Sequence, residues 1–311
     1  MKKRYWFLII FVVLVFLGLV LSPKAEYSEV NRYDLISTEK MTPEMDKNPV
    51  KSHSDEYYNP VPLDFPINTG GGEDSSFVMP DGNTLYFFFT PDVQVPVEKQ
   101  ILDEVTGIYV SEKVNNGWSE PSRIWLQDPG KLAGDGCEFI YPDGKNMLFC
   151  TVREGYTGIH WFGAEFGSEK WTNWKEIVFP ESFDVGELHV YGNELYYHSD
   201  RAGGEGGLDI WMIERGSEGN WKEPVNIGSV NSEYDEGWPA ISPNGQEMWI
   251  SREYGVWRSL KINEVWQEPE LMFSPLAGEA SIDSSGNVYF THHYFDGDYM
   301  IEADIYVAYR V

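Results

Sequence analysis

The sequence predicts an all-β fold: a five-bladed β-propeller of four-stranded antiparallel blades, closed by an N-terminal strand that completes the last blade. Three observations predict it. A turn flanked by β-branched and aromatic residues recurs along the chain. A short strand-like phrase and then a Trp-led phrase follow it. The Trp-led phrase that the last unit lacks has its counterpart near residue 60.

The turn phrase reads FVMPDGNTLYFF (77–88), FIYPDGKNMLFC (139–150), HVYGNELYYHS (189–199), AISPNGQEMWIS (240–251) and SIDSSGNVYFTH (281–292). The second phrase reads GIYVSEK (107–113), GIHWFGA (158–164), LDIWMIER (208–215), GVWRSLK (255–261) and ADIYVAYR (303–310). The third starts at Trp118, Trp174, Trp221 and Trp266, residues expected to pack between blades, with carbohydrate stacking as the alternative. Each unit therefore supplies four antiparallel strands. The chain stops at the end of a third strand, and YYNPVPLDFP (57–66) resembles WKEPVNIG (221–228). Residues 57–66 are thus expected to pair with residues 303–311 as the outermost strand of the last blade.

Composition agrees with many short strands: 15% of the 311 residues are aromatic and 30 are Gly. A formal charge of -27 repels nucleic acid and anionic lipid headgroups, which argues against a nucleic-acid role; a solvated acidic surface is the favoured reading, with cationic ligands or divalent metals as the alternative. At the N-terminus Lys2, Lys3 and Arg4 precede an uncharged run over 5–22, which at helical rise would cover about 27 Å. This predicts a signal anchor or transmembrane helix over 1–25, with a cleaved signal as the alternative. Residues 26–56 read as a flexible stalk, and 57–311 as the propeller on the extracytoplasmic side of the cell membrane.

Cys137 and Cys150 bracket a hairpin, and a two-residue type I′ turn at Asp143-Gly144 would set them opposite one another. A cross-strand disulfide is expected, because the spacing suits neither a metal nor a redox pair.

The stretch SDRAGGEGGLDIWMIERGSEGNWKEPVNIGSVNSEYDEGWPAISPNGQEMWIS (199–251) resembles the TolB-type, WD-like β-propeller repeat of secreted and periplasmic proteins. The second and fifth units carry the pattern more weakly. The resemblance implies a propeller and, in many relatives, a role in binding or assembly.

The ends of the strands that would line a central channel are the first place to look for chemistry. They carry Glu73 and Asp74, Asp135 and Glu138, Asp184 and Glu187, Asp235 and Glu236, and Glu279, with His189 two residues beyond Glu187. Carboxylates crowded round a funnel must be protonated, paired or bridged by a cation, so this rim is a candidate Ca²⁺ or cationic-ligand site. The plainer alternative, which the repeat itself favours, is that these acids cap turns. Gly203, Gly204, Gly206 and Gly207 between Asp200 and Asp209 read as a structural loop, because no phosphate-binding Lys-Ser/Thr follows. His292 and His293 occupy adjacent strand positions and point to opposite faces.

A ligand- or protein-binding module is favoured over an enzyme, with protein or carbohydrate as partner and no cofactor beyond that Ca²⁺. The alternative is a glycan-active hydrolase using Glu73, Glu187 and Glu236.

Overall fold

The computed structural model describes residues 26–27, 30–115, 117–180, 183–217 and 219–311. The chain is all-β, built from sheets of four antiparallel strands in chain order. The first sheet holds Gly72–Val78, Thr84–Thr90, Gly107–Val114 and Ser122–Arg123. The second holds Ala133–Ile140, Asn146–Arg153, His160–Gly167 and Lys170–Glu176. Leu188–Tyr191, Glu194–Ser199, Asp209–Glu214 and Val225–Asn226 form the next. Gly237–Ile241, Glu247–Arg252, Gly255–Ile262 and Glu270–Ser274 follow. The last set, Ala277–Ile282, Val288–Asp296 and Tyr299–Ala308, takes its outer strand from far upstream: Val61 pairs with Val307 and Pro62 with Tyr306.

The hairpin turns differ from the expected two-residue form. The Gly144 N–H donates to the Tyr141 carbonyl at 2.8 Å, and only Gly144 of the Asp-Gly pair has a left-handed φ, +64°. Asp143 instead accepts the Lys145 N–H at 2.8 Å, an Asx-type brace repeated by Asp81 on Asn83 and Asn244 on Gln246.

Apolar side chains from neighbouring sheets interleave. Tyr86, Ile108 and Ile124 meet Phe149, Phe162 and Trp171 between the first two sheets. Leu148 and Trp161 meet Tyr197 and Trp211; Tyr196 and Ile210 meet Met248 and Ile250. Trp249 and Phe273 meet Phe290 and Tyr306. The last sheet packs in turn on the first, with Tyr289, Ile305 and Val307 against Leu85 and Phe87. The Trp residues that follow the third strands reach back to the preceding sheet. Trp266 meets Tyr196 at 6.1 Å, Trp221 meets Phe179 at 5.8 Å, and Trp118 meets Tyr289 of the last sheet at 6.3 Å.

The stretch read as a flexible stalk carries ordered contacts along its length, because its charges find buried partners. Arg32, only 4% exposed, lies 3.5 Å from Glu73 and over the rings of Phe89 and Tyr33. Lys40 pairs with Glu302 and Asp304, and Asp46 sits 3.0 Å from buried His292. Lys51–Ser52 adds a strand to Glu270–Ser274, and Glu56 pairs with Arg258 at 2.6 Å and Arg310 at 2.9 Å. The expected anchor over 1–25 lies outside the described residues. Among the described residues no helix is long and apolar enough to cross a membrane.

Candidate functional site

Four innermost strands carry a β-bulge at the same place. Register slips between Asp74 and Phe77, Gly136 and Phe139, Gly237 and Ala240, and Gly278 and Ser281. The bulge residues Ser75, Cys137, Trp238 and Glu279 have φ of 49°, 54°, 51° and 54°, a left-handed conformation uncommon for side chains of this size. Glu187 holds the corresponding place in the remaining sheet, where its carbonyl accepts the His198 N–H at 3.2 Å. These bulge residues, one from each sheet, form a collar. All of them line both a small chamber of about 60 Å³ and a cavity of about 290 Å³, which therefore meet at the collar. Backbone strain held at such a place marks candidate sites.

An aromatic group stands beside the chamber, which Phe77 and His189 line. Phe77 and Phe139 lie 5.5 Å apart edge to face, and His189 lies 4.7 Å from Phe139. Burial among them holds His189 neutral, lowering its pKa to about 3.

Glu138, Glu187 and Glu279 line the same chamber. Glu138 is 7% exposed, and its carboxyl group has no partner beyond its own backbone N–H. Burial, with Glu187 and Asp74 nearby, pushes Glu138 well above the ordinary carboxylate range. Burial and Asp74 likewise raise Glu187 to about 8. Glu279 is pushed well up by burial and by Asp74, while the Ser75 hydroxyl donates to it at 2.6 Å. Asp74, Glu279 and His293 bring one ligating atom each within 4.8 Å of one another. Neither lining contains a Lys or Arg. Among the described residues, this is a set of carboxyl groups without a cation, which a metal ion, an ammonium group or protons can neutralise.

The remaining rim acids are engaged by neighbouring groups, and of them only Asp135 lines the larger cavity. Glu73 accepts the Thr69 N–H at 2.9 Å and the Thr69 hydroxyl at 2.6 Å, beside Arg32. Glu236 accepts the Ser232 N–H at 3.0 Å and pairs with Arg252 at 2.7 Å. Asp135 is held by Thr151 at 2.6 Å and Arg153 at 2.9 Å. These three brace the entry to their strands and each faces an Arg, although burial still raises the pKa of all three, that of Glu73 to about 8. Exposed Asp235 caps the Leu208 N–H at 2.8 Å, and Asp184 shares a hydrogen bond with Asp200 that raises its pKa.

Cys137 and Cys150 form a disulfide with Cα atoms 5.3 Å apart. The bulge sets Gly136, rather than Cys137, opposite Cys150. In the glycine loop only Gly203 has a left-handed φ. Gly204, Gly206 and Gly207 are needed for close approach, since a Cβ there would strike Asp209, Tyr234 and Asp235.

Several residues of this site escaped the sequence reading. Val97 and Ile101 line the larger cavity from the connection between the second and third strands of the first sheet, 91–106. The counterpart in the second sheet is 154–159. That difference in length was the available signal for an added wall. Trp238, Ser75 and His293 had no repeat-level signal.

No family model matches the chain, and no curated protein matches it. Among solved structures, it is similar to a putative TolB from Agrobacterium tumefaciens, at 17% identity and a TM-score of 0.43, covering 81% of this chain and 78% of that one. It is similar to Bacteroides ovatus xyloglucan PUL GH43B at 12% identity and a TM-score of 0.47, covering 79% of this chain and 54% of that one. Trypanosoma rangeli sialidase aligns at 12% identity and a TM-score of 0.41, over 78% of this chain and 46% of that one. The chain thus spans about half the length of these last two. The resemblance to the TolB-type propeller repeat has its counterpart in the first. All these TM-scores lie below 0.5, so the function has to be argued from the chain's own residues.

Proposed function

We propose that this chain is a five-bladed propeller, tethered to the membrane by its apolar run and displayed outside the cytoplasm, that binds a positively charged ligand on its axis. The observation that carries the ligand reading is Glu138, buried with no carboxyl partner beyond its own backbone N–H, in a chamber shared with Glu187 and Glu279 and lined by no Lys or Arg.

Support for a closed ring of five blades comes from the interfaces. Each apolar cluster lies between consecutive sheets, and one joins the last sheet to the first. A repeated latch adds to it. Asn231 bonds the N–H and C=O of Ile210 at 2.7 and 2.9 Å, and Asn68 bonds those of Ile305 at 2.9 and 2.9 Å. Five residues after each Asn stands the braced acid, Glu236 or Glu73. The entry near residue 60 therefore serves the last blade as the entry near residue 225 serves the third. The tether rests on the 5–22 run and its basic flank.

Ca²⁺ is the inorganic candidate, with Asp74 and Glu279 as oxygen donors. The glycan-hydrolase reading is weakened because Glu73 and Glu236 are engaged by Arg32 and Arg252, which leaves only Glu187 of its three carboxylates.

Titration of the full-length chain with calcium chloride and with methylammonium chloride tests the reading. Saturable binding of at least one cation is expected, weakened at least about 10-fold by Glu187→Gln, the equivalent of losing one charge-assisted contact. Absence of binding by either would contradict the axial cation. Turnover of chromogenic glycosides that is lost in Glu187→Gln would replace binding with hydrolysis.

A further inference from the structure

We propose that the axial site takes an ammonium or guanidinium group carried on an apolar stem, as in a lysine or arginine side chain of a partner polypeptide. This rests on the axial-cation reading and names the class of ligand within it.

The cavity of about 290 Å³ that meets the collar has both acidic and aliphatic side chains in its lining, with Asp135, already held by Arg153, among the acids. Its other acids are Asp74, Glu187 and Glu279. Its walls include Val97, Ile101 and Ile159. A bare metal ion needs oxygen or nitrogen donors on every side and gains nothing from aliphatic walls. An organic cation needs both parts: apolar surface for its stem and unpaired carboxylates for its head. The acids cannot be explained as a self-sufficient cluster, because Glu138 beyond the collar is 7% exposed with no carboxyl partner beyond its own backbone N–H.

The outer wall points to a macromolecular source for that stem. Val97 is 65% and Ile159 70% exposed, so large aliphatic groups flank the entrance where water now covers them. A partner segment that inserts a basic side chain would cover both, joining a desolvated charged anchor to an apolar surround, as in the centres of protein interfaces. The charge of -27 would also draw a basic segment towards the ring before contact.

Calorimetric titration of the full-length chain with methylammonium, n-butylammonium, n-butanol, calcium chloride and the capped tripeptide Leu-Lys-Leu separates the outcomes. Butylammonium is expected to bind tighter than methylammonium by roughly 10- to 50-fold, the yield of three more buried methylenes. The tripeptide should bind at least as tightly as butylammonium, and butanol should not bind. Val97→Ser with Ile159→Ser should remove the difference between the two amines while leaving methylammonium unchanged. These positions are exposed, so the folded state should survive both changes. Equal binding of the two amines, or binding of calcium alone, overturns this inference while the axial-cation reading stands. Tight butylammonium with a tripeptide that does not bind overturns the polypeptide source. Failure of every cation overturns both readings.

Discussion

Deleting residues 57–66 is expected to unfold the whole domain. The segment carries the outer strand of the last sheet, with Val61 on Val307 and the Leu63 N–H on the Ile305 carbonyl at 2.9 Å. It also buries Tyr57 against Trp249 and Phe273, and Leu63 in the cluster shared by the last and first sheets. Truncating each large buried side chain costs about 2–5 kcal/mol, and a domain holds only about 5–15 kcal/mol in total. The loss is not local, because Leu63 seals the last sheet to the first and Tyr57 seals the fourth to the last. Circular dichroism melting should show no cooperative transition above ambient temperature, or the protein should associate through the freed edge. A deletion variant that melts like the parent would mean that the fold does not depend on this strand.

Arg32→Ala is expected to destabilise the folded chain by about 3 kcal/mol, the lower end of what breaking a buried pair costs. Glu73 is fully buried, and its cation arrives from a segment 41 residues upstream. Arg32 also donates to the carbonyls of Pro66 and Ile67, so its removal leaves acceptors unsatisfied as well. Glu73 can escape part of the cost by protonation, since burial already raises its pKa to about 8 despite Arg32. The loss should therefore grow with pH, and Glu73→Gln in the Arg32→Ala background should recover part of it. Urea midpoints at pH 6 and pH 9 check both statements. The same contacts imply that removing 26–50 is not neutral, which a flexible stalk would have allowed. An Arg32→Ala midpoint equal to the parent's would return this stretch to the role of a tether.

The strand-turn-strand units were legible because each is local: an alternating run, a Pro-Asp-Gly or Pro-Asn-Gly turn and a second run within about a dozen residues. The pairing of residues 57–66 with the last strand was legible for a different reason, a missing repeat unit. The acids were only half legible. Glu73 and Ser75 differ by two positions, and in an unbroken strand they would share a face. The bulge cancels that parity, so the position of Glu73, Asp135 and Glu236 turns to an Arg while that of Glu187 and Glu279 turns to the collar. Nothing in the repeat announces the bulge, because none of Ser75, Cys137, Trp238 and Glu279 is the glycine that a left-handed residue would lead one to expect. The docking of 30–56 was not legible either. Its contacts are short and isolated, a two-residue strand, a buried Val50 and single charges meeting partners up to 264 positions away, as Lys40 meets Asp304.

The most direct measurement is thermal stability against pH for the parent chain and Glu138→Gln, with no added cation. A carboxyl group whose pKa is raised on folding binds more protons in the folded than in the unfolded state, so stability falls as pH rises from the unfolded value towards the folded one. For Glu187 that window runs from 4.5 to about 8, and Glu138 and Glu279 act in the same direction. The parent should therefore melt several degrees lower at pH 8.5 than at pH 5. Glu138→Gln should lie close to the parent at pH 5, where the folded group is neutral in both proteins, and melt higher at pH 8.5. Parallel curves for the two proteins, or a Glu138→Gln chain less stable at pH 8.5, would mean that the chamber holds no uncompensated charge for a cation to neutralise.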